Sequence, residues 1–244
     1  MAFERGLNIV TGASSGIGRS LARSDRRRRR DLLESLEGEI RAAGGRAMSI
    51  VCDVTDVAAV QHAVRLAEES IGPTRRLIAN AGGTGGKADS AFDPDQFRRS
   101  IELNLMGVAN CVAAVLPGML ERRNGHLVAT SSLAGYRGLP GSAAYSAAKG
   151  GLTNFFESLR IDLRGTGVEV SVIAPGFVRT KPGGKKRKPF VMELEPATER
   201  MHRAIQERRP FYAFPRSLVA LIWLGRVLPV PIYDRLLAGR GGVG

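Results

Sequence analysis

A short apolar run, Leu7–Val10, passes without a break into Thr11-Gly12-Ala13-Ser14-Ser15-Gly16-Ile17-Gly18, and Arg19-Ser20-Leu21-Ala22 follows. A strand that feeds a helix through so tight a glycine turn must return to its own sheet. This makes the segment the first half of a strand–helix–strand unit. Gly12 allows the turn, Gly16 lets backbone N–H groups approach an anion, and Gly18 permits close packing of helix on strand. The helix amino terminus adds partial positive charge where a phosphate would lie. Alone, such a pattern also suits a purely structural turn.

The rest of the chain extends the same alternation. Ala47–Cys52, Leu77–Asn80, His126–Ser131 and Val168–Ile173 are apolar runs bounded by Gly, Pro, Asp or Asn, and each predicts a strand. Between them Phe97, Ile101, Leu105, Val108, Val112 and Val115 recur at three- and four-residue spacing, the mark of one apolar helix face. Strands alternating with helices predict an α/β fold, a doubly wound parallel sheet with helices on both faces. A chain of 244 residues accommodates one large domain, and 43% hydrophobic content excludes a disordered chain. No internal repeat or linker divides it.

Residues 1–180 form the expected core domain, and 181–244 an extension packed on it. Lys181–Pro189 is basic and rich in Gly and Pro, which predicts a loop. Pro196–Arg209 has a helical pattern, and Phe211–Pro215 suits a short edge strand. Arg216–Leu237 mixes apolar clusters with isolated arginines. Pro215, Pro229 and Pro231 interrupt it and no charge-free run reaches 18 residues, so a membrane-crossing helix is not expected there.

Thirty-six Lys plus Arg against 23 Asp plus Glu leave a net charge of +13. Much of this lies in Arg26–Arg30 and Lys185–Lys188. Such an excess suits nucleic acid, an anionic membrane, a phosphorylated ligand or simply a solvated surface. Neither run carries interleaved aromatics and no nucleic-acid motif accompanies them, so nucleic acid is not an expected partner. Cys52 and Cys111 show neither pairing nor metal-ligand spacing; they predict buried thiols in a reducing compartment and no metal site. The first apolar run starts too near Met1 for a signal peptide, which predicts a cytoplasmic protein.

Tyr145 and Lys149 are four residues apart in a run where Leu152, Phe156, Leu159 and Leu163 recur with helical period, so both stand on one helix face. A free tyrosine ionises near a pKa of about 10. A neighbouring ammonium is expected to lower that value and fit the phenol for proton exchange with a carbonyl or alcohol oxygen. Ser132 follows the fourth predicted strand and supplies a hydroxyl for the same oxygen. Taken alone, the Tyr–Lys pair also suits a solvated helix face.

The combination resembles the short-chain dehydrogenase/reductase family over about Leu7 to Thr180. The residues that carry it are Thr11–Gly18, Asp53-Val54, Asn80-Ala81-Gly82, Asn104, Ser131-Ser132, Tyr145-Ser146-Ala147-Ala148-Lys149 and Pro175-Gly176. The resemblance implies a Rossmann-type fold and hydride exchange between a nicotinamide and a ketone or secondary alcohol. It assigns Tyr145 as acid/base, Lys149 to the nicotinamide ribose and the tyrosine pKa, Ser132 to the substrate oxygen, and Asn104 to a proton relay. Cofactor contacts are implied for Gly12, Ser14, Ser15, Gly16, Ile17, Gly18, Asp53, Val54, Asn80, Ala81, Gly82, Tyr145, Lys149, Pro175, Gly176, Val178 and Thr180. Within that set Asp53 faces the adenine and Thr180 the carboxamide. Read as residues alone, Asp53, Asn80 and Asn104 suit capping or turn roles. Family members commonly associate as homodimers or homotetramers.

One stretch departs from the family pattern. Only Arg19–Arg30, twelve residues, separate Gly18 from Asp31. A crossover helix takes about 10–12 residues and a strand about 5–6 more, so both cannot fit. The second strand of the fold is therefore expected to be missing. Either Ala47–Cys52 pairs beside Leu7–Val10 or a gap remains there. The end of that strand normally selects the cofactor, an acidic residue binding ribose hydroxyls and an arginine favouring a 2′-phosphate. Arg26–Arg30 therefore favour NADP(H) over NAD(H). The alternative is an impaired relative with a membrane-association or interaction role. The tail suits an anionic membrane surface, a cover for the cleft or a dimer partner, and similar tails in the family suggest a lipophilic substrate.

Overall fold

The computed structural model describes residues 6–13, 16–21, 30–83, 92–180 and 190–237. Its main sheet has five parallel strands in the order β1 (Leu7–Val10), β2 (Thr74–Ala79), β3 (Gly125–Thr130), β4 (Val168–Pro175) and β7 (Phe211–Phe214). Leu77, Ile78, Leu127, Val128 and Ile173 are wholly buried. A parallel sheet covered on both faces requires such near-continuous apolar strands.

Helices α3 (Val57–Ile71), α5 (Gly107–Glu121) and α6 (Ala143–Asp162) cover one face through Val60, Val64, Val108, Val112, Val115, Leu152 and Phe156. Leu36 and Ile40 of α2 (Arg30–Ala42) join Met201 and Ile205 of α7 (Leu194–Gln206) in the core of the other face. Short helix α1 (Gly16–Leu21) follows the glycine turn and packs on α7. A two-residue ladder, β5 (Val178–Arg179) with β6 (Met192–Glu193), precedes α7. The chain closes with helices α8 (Arg216–Val227) and α9 (Val230–Leu237). This is a doubly wound α/β fold with a helical carboxy-terminal region.

Two sequence expectations change. Ala47–Cys52 joins no sheet. Its apolar residues report burial, but a strand also needs a hydrogen-bonded neighbour. Among the described residues β1 pairs only with β2. Among the described residues no strand lies on the other side of β1, and Leu7, Ile9, Met48, Ile50, Val64 and Ile71 belong to the lining of a cavity. The expected Arg26–Arg30 cluster and the Lys181–Pro189 loop lie outside the described residues, save Arg30, which opens α2. Secondly, the long helix predicted through Phe97 and Val115 is continuous but carries a π-helical turn. α4 (Pro94–Ile101) passes into a π-helical turn at Glu102–Met106 before α5 begins. That continuous helix, Pro94–Glu121, is long and apolar enough to cross a bilayer. Its residues Val108, Cys111, Val112, Val115 and Met119 are nevertheless buried in the protein core.

A buried polar chain crosses the sheet. Arg76 Nε donates to His126 Nδ1 at 3.0 Å and its Nη1 to Asn8 Oδ1 at 3.1 Å, while His126 Nε2 lies 2.8 Å from Ser171 Oγ. Guanidinium only donates, so the neutral ring carries its proton on Nε2, toward Ser171. His202 on α7 is held below the ordinary histidine value by burial and then by nearby positive charge, Arg76 included. Between that depressed value and about 6.5 the unfolded chain binds more protons than the folded one. Stability should thus be complete above about pH 6.5 and fall as the pH drops below it. Melting temperatures of wild type and His202→Gln between pH 7 and 5 test this. The variant should lose less on acidification, and an equal loss would exclude His202 as the cause.

Candidate active site

The glycine turn is shaped by close approach. Gly12 has φ +68°, and a Cβ there would lie 2.6 Å from Ala81 Cα. A Cβ on Gly18 would collide with Gly12 O and the Asn80 side chain. No other residue type fits either place. Thr11 Oγ1 accepts from the backbone N–H groups of Asn80 at 3.1 Å and Ala81 at 2.9 Å, and Asn80 Nδ2 donates to Thr11 O at 3.3 Å. These bonds lock the ends of β1 and β2 together. Thr11 therefore builds the site although sequence reasoning assigned it no role; its place at the strand end, directly before the turn, was the available signal.

The π-helical turn buries Asn104 completely. Such a turn inserts one residue into the helical repeat and is frequent at functional sites. Asn104 Oδ1 accepts from Gly83 N at 3.2 Å, and Nδ2 donates to Gly83 O and Ser100 O, each at 3.0 Å. A Cβ on Gly82 would meet Asn104 Oδ1 at 2.7 Å and Lys149 Nζ at 3.4 Å, so both polar groups converge on one point.

Lys149 and Tyr145 project from α6. Ser131 Oγ donates to Lys149 O at 3.1 Å, which fixes this helix against the end of β3. Lys149 is 4% exposed, and its Nζ donates to Thr130 O at 2.9 Å. Burial lowers its pKa to about 8. Ser132 Oγ accepts from Ala134 N at 3.2 Å, capping a 3₁₀ turn, and is hydrogen-bonded to the Tyr145 side chain. Burial lifts the Tyr145 phenol above its ordinary value, and the Ser132 bond opposes the rise. The expected lowering by Lys149 is absent. The ammonium lies 5.8 Å from the Tyr145 ring centre and is turned to a backbone carbonyl. Ser131 and the Thr130 carbonyl are site-building groups that helical spacing alone does not reveal.

These elements line one continuous cavity of about 650 Å³. Gly12, Gly16, Ile17, Gly18, Val54, Asn80, Ala81 and Gly82 lie along it with Asn104, Ser132, Tyr145 and Lys149. Pro175, Gly176, Val178 and Thr180 face them from beyond β4, and a Cβ on Gly16 would meet Thr180 Cγ2 at 2.9 Å. Asp53 is turned differently. Its carboxylate accepts from Thr55 N at 3.0 Å and Thr55 Oγ1 at 2.9 Å, which is a turn role. Asn110 Nδ2 holds Val54 O at 3.0 Å. Ser14 and Ser15 lie outside the described residues.

Substituent-free glycines before a helix amino terminus fit a pyrophosphate, and a buried ammonium beside a tyrosine fits a ribose hydroxyl. The arrangement therefore fits a nicotinamide dinucleotide. A sequence profile of the short chain dehydrogenases matches residues 7–189. The chain belongs to the short-chain dehydrogenase family. An uncharacterized oxidoreductase of Myxococcus xanthus is 42% identical over 93% of this chain and 94% of its own length. The oxidoreductase UcpA of Salmonella typhimurium is 36% identical over 70% of this chain and 69% of its own. Among solved structures, a short-chain dehydrogenase from Streptomyces avermitilis aligns with a TM-score of 0.73 at 27% identity, covering 88% of this chain and 91% of that one. The crystal structure of gox2181 shares the fold, with a TM-score of 0.78 at 23% identity over 87% and 94% of the two chains. Family membership makes this chain an oxidoreductase of a family that uses NAD(P)(H) and acts on small molecules.

Proposed function

We propose that this short-chain dehydrogenase interconverts a lipophilic ketone and its secondary alcohol with NADP(H) in preference to NAD(H). The observation that carries the reading is the meeting of Ser132, Tyr145, Lys149 and Asn104 in one cavity with the glycine turn. When bound, the nicotinamide supplies or accepts the hydride. Ser132 orients the substrate oxygen by hydrogen bonding, and Tyr145 gives it a proton in reduction or takes one in oxidation. Lys149 holds the ribose, and Asn104, converging on the same point, extends the proton path. The glycine turn and α1 amino terminus hold the pyrophosphate, with Ser14 and Ser15 in that turn, while Pro175, Gly176, Val178 and Thr180 close on the nicotinamide end. Val54, in the cavity wall, borders the adenosine end, and Asp53 shapes the turn beside it. Leu133, Leu139, Phe177, Leu218 and Ile222 give the remaining wall its apolar character, which supports a lipophilic substrate.

NADP(H) preference rests on the arginine content of Arg26–Arg30. A charge-assisted contact of about 1.5–3 kcal/mol corresponds to roughly tenfold or more in affinity. Fluorescence titration of the purified protein should show NADPH binding tighter than NADH by at least about that factor. Equal or reversed affinity would leave the arginines without a cofactor role. Oxidation of NADPH by a panel of ketones then tests the reaction, and no turnover with any of them would oppose it. Exposed Leu120 on α5 and Ile161 on α6 support a homodimer or homotetramer. The two cysteines, neither in a disulfide, support a reducing, cytoplasmic setting. Residues 181–244 are read as an extension of the 1–180 domain, since Leu218 and Ile222 of α8 line its cavity.

A further inference from the structure

The two carboxy-terminal helices divide their apolar residues between two faces. On α8, Leu218 is buried and, with Ile222 one turn later, forms part of the cleft wall. On its outer side Leu221, Trp223, Leu224 and Val227 are 53%, 58%, 59% and 63% exposed. α9 continues this surface with Val230, Ile232 and Leu236, and none of its residues is buried.

Inner contacts fix both helices in place. Tyr233 Oη donates to Gly138 O at 2.7 Å, and the Arg137 guanidinium stacks 3.7 Å from the Tyr233 ring centre. Arg137 also donates to the carbonyls of Gly225 and, at 3.1 Å, Leu228. The outer apolar residues are thus presented by an anchored pair of helices. Seven large apolar side chains left exposed on two successive helices mark a site of interaction.

We propose that the outer face of α8 and α9 docks on an anionic lipid bilayer, setting the cleft wall formed by Leu218 and Ile222 beside the membrane. The docking stands on the helices alone; the delivery of a lipophilic carbonyl compound to the cleft rests on the oxidoreductase reading. Charge selects the occupant. Arg216, Arg226 and Arg235 are exposed on these helices, where Asp234 is the one acidic residue, and the whole chain carries +13. A two-fold contact between copies would set this patch, with its arginines, against itself. An anionic bilayer meets the same arginines with opposite charge and receives the apolar side chains at its interface. Trp223 suits that depth, where indole is favoured.

Co-sedimentation of the full chain with phosphatidylcholine vesicles, with and without phosphatidylglycerol, tests the proposal. Binding should rise about tenfold or more with the anionic lipid and fall steeply in high salt. The double variant W223E/L224E changes two exposed residues outside the cavity lining. It should lose vesicle binding at least about tenfold while keeping wild-type melting temperature and NADPH affinity. No binding of wild type to anionic vesicles would overturn the proposal. So would equal binding by wild type and the double variant. Conversion of an oligomer to monomers by W223E/L224E without any vesicle binding would assign the face to a second copy. Vesicle binding by a protein that oxidises no NADPH with any ketone would leave the docking intact and sink the oxidoreductase reading.

Discussion

Tyr145→Phe is expected to lower turnover by about 10² or more while leaving nicotinamide affinity nearly unchanged. The substitution removes one oxygen and keeps the ring, so packing on α6 is retained and the lost quantity is proton transfer. Burial holds the phenol above the ordinary tyrosine value, opposed by the hydrogen bond to Ser132. At neutral pH the group is therefore an acid, poised to protonate a carbonyl oxygen during reduction. Alcohol oxidation needs the phenolate, so its rate should climb as the pH rises toward that raised value, while reduction should hold steady above neutrality and decline only beyond the ordinary tyrosine value of about 10. Initial rates in both directions across that range measure the two limbs. Retention of most of the turnover by Tyr145→Phe would remove Tyr145 from the mechanism, whichever way the limbs run.

Most of the sheet is legible in the sequence because a parallel strand buried on both faces must be apolar. Leu77–Ile78, Leu127–Val128 and Val170–Ile173 carry that signature and occupy strands β2, β3 and β4. Ala47–Cys52 carries it too and forms no strand, since composition reports desolvation and says nothing of a ladder partner. The short spacing between Gly18 and Asp31 is the sequence's own ground for expecting no regular second strand, since a crossover helix and a strand do not both fit in twelve residues. Likewise, helical periodicity through Phe97 and Val115 cannot reveal the π-helical turn that buries Asn104, because one extra residue barely alters the apolar face. Tyr145, Lys149 and Ser132 were readable from residue type and spacing. The direction of Lys149 Nζ was not. It depends on the carbonyl of Thr130, whose place is set by β3 pairing with β4. Thr11 and Ser131 act through backbone groups distant in sequence, a relation that leaves no periodic trace.

Lys149→Met separates what that buried cation costs from what it does. Burial takes the lysine from 10.5 to about 8. At about 1.4 kcal/mol per tenfold in acidity, holding the ammonium inside costs the cofactor-free protein about 3 kcal/mol at neutral pH. The sign follows from proton binding. Between pH 8 and 10.5 the unfolded chain binds more protons than the folded one, so this penalty is absent above that window and complete below it. Methionine fills similar space without charge, yet strips Thr130 O of its donor, a loss of about 1–3 kcal/mol. The balance runs from nothing to about 2 kcal/mol in favour of the variant, which is a melting temperature unchanged or raised by several degrees at pH 7, at about 2–4 °C per kcal/mol. Under the proposed function, turnover should meanwhile fall by about 10² or more, with nicotinamide affinity falling alongside it, because that reading gives the ammonium a part in both ribose binding and proton transfer. Melting of the cofactor-free proteins at pH 7 and pH 10, beside steady-state rates, resolves the two effects. The wild type should gain on the variant as the pH rises. A melting temperature lowered by about 5 °C or more at pH 7 would show Lys149 to be a net structural support, and undiminished turnover would show it to be no part of the chemistry.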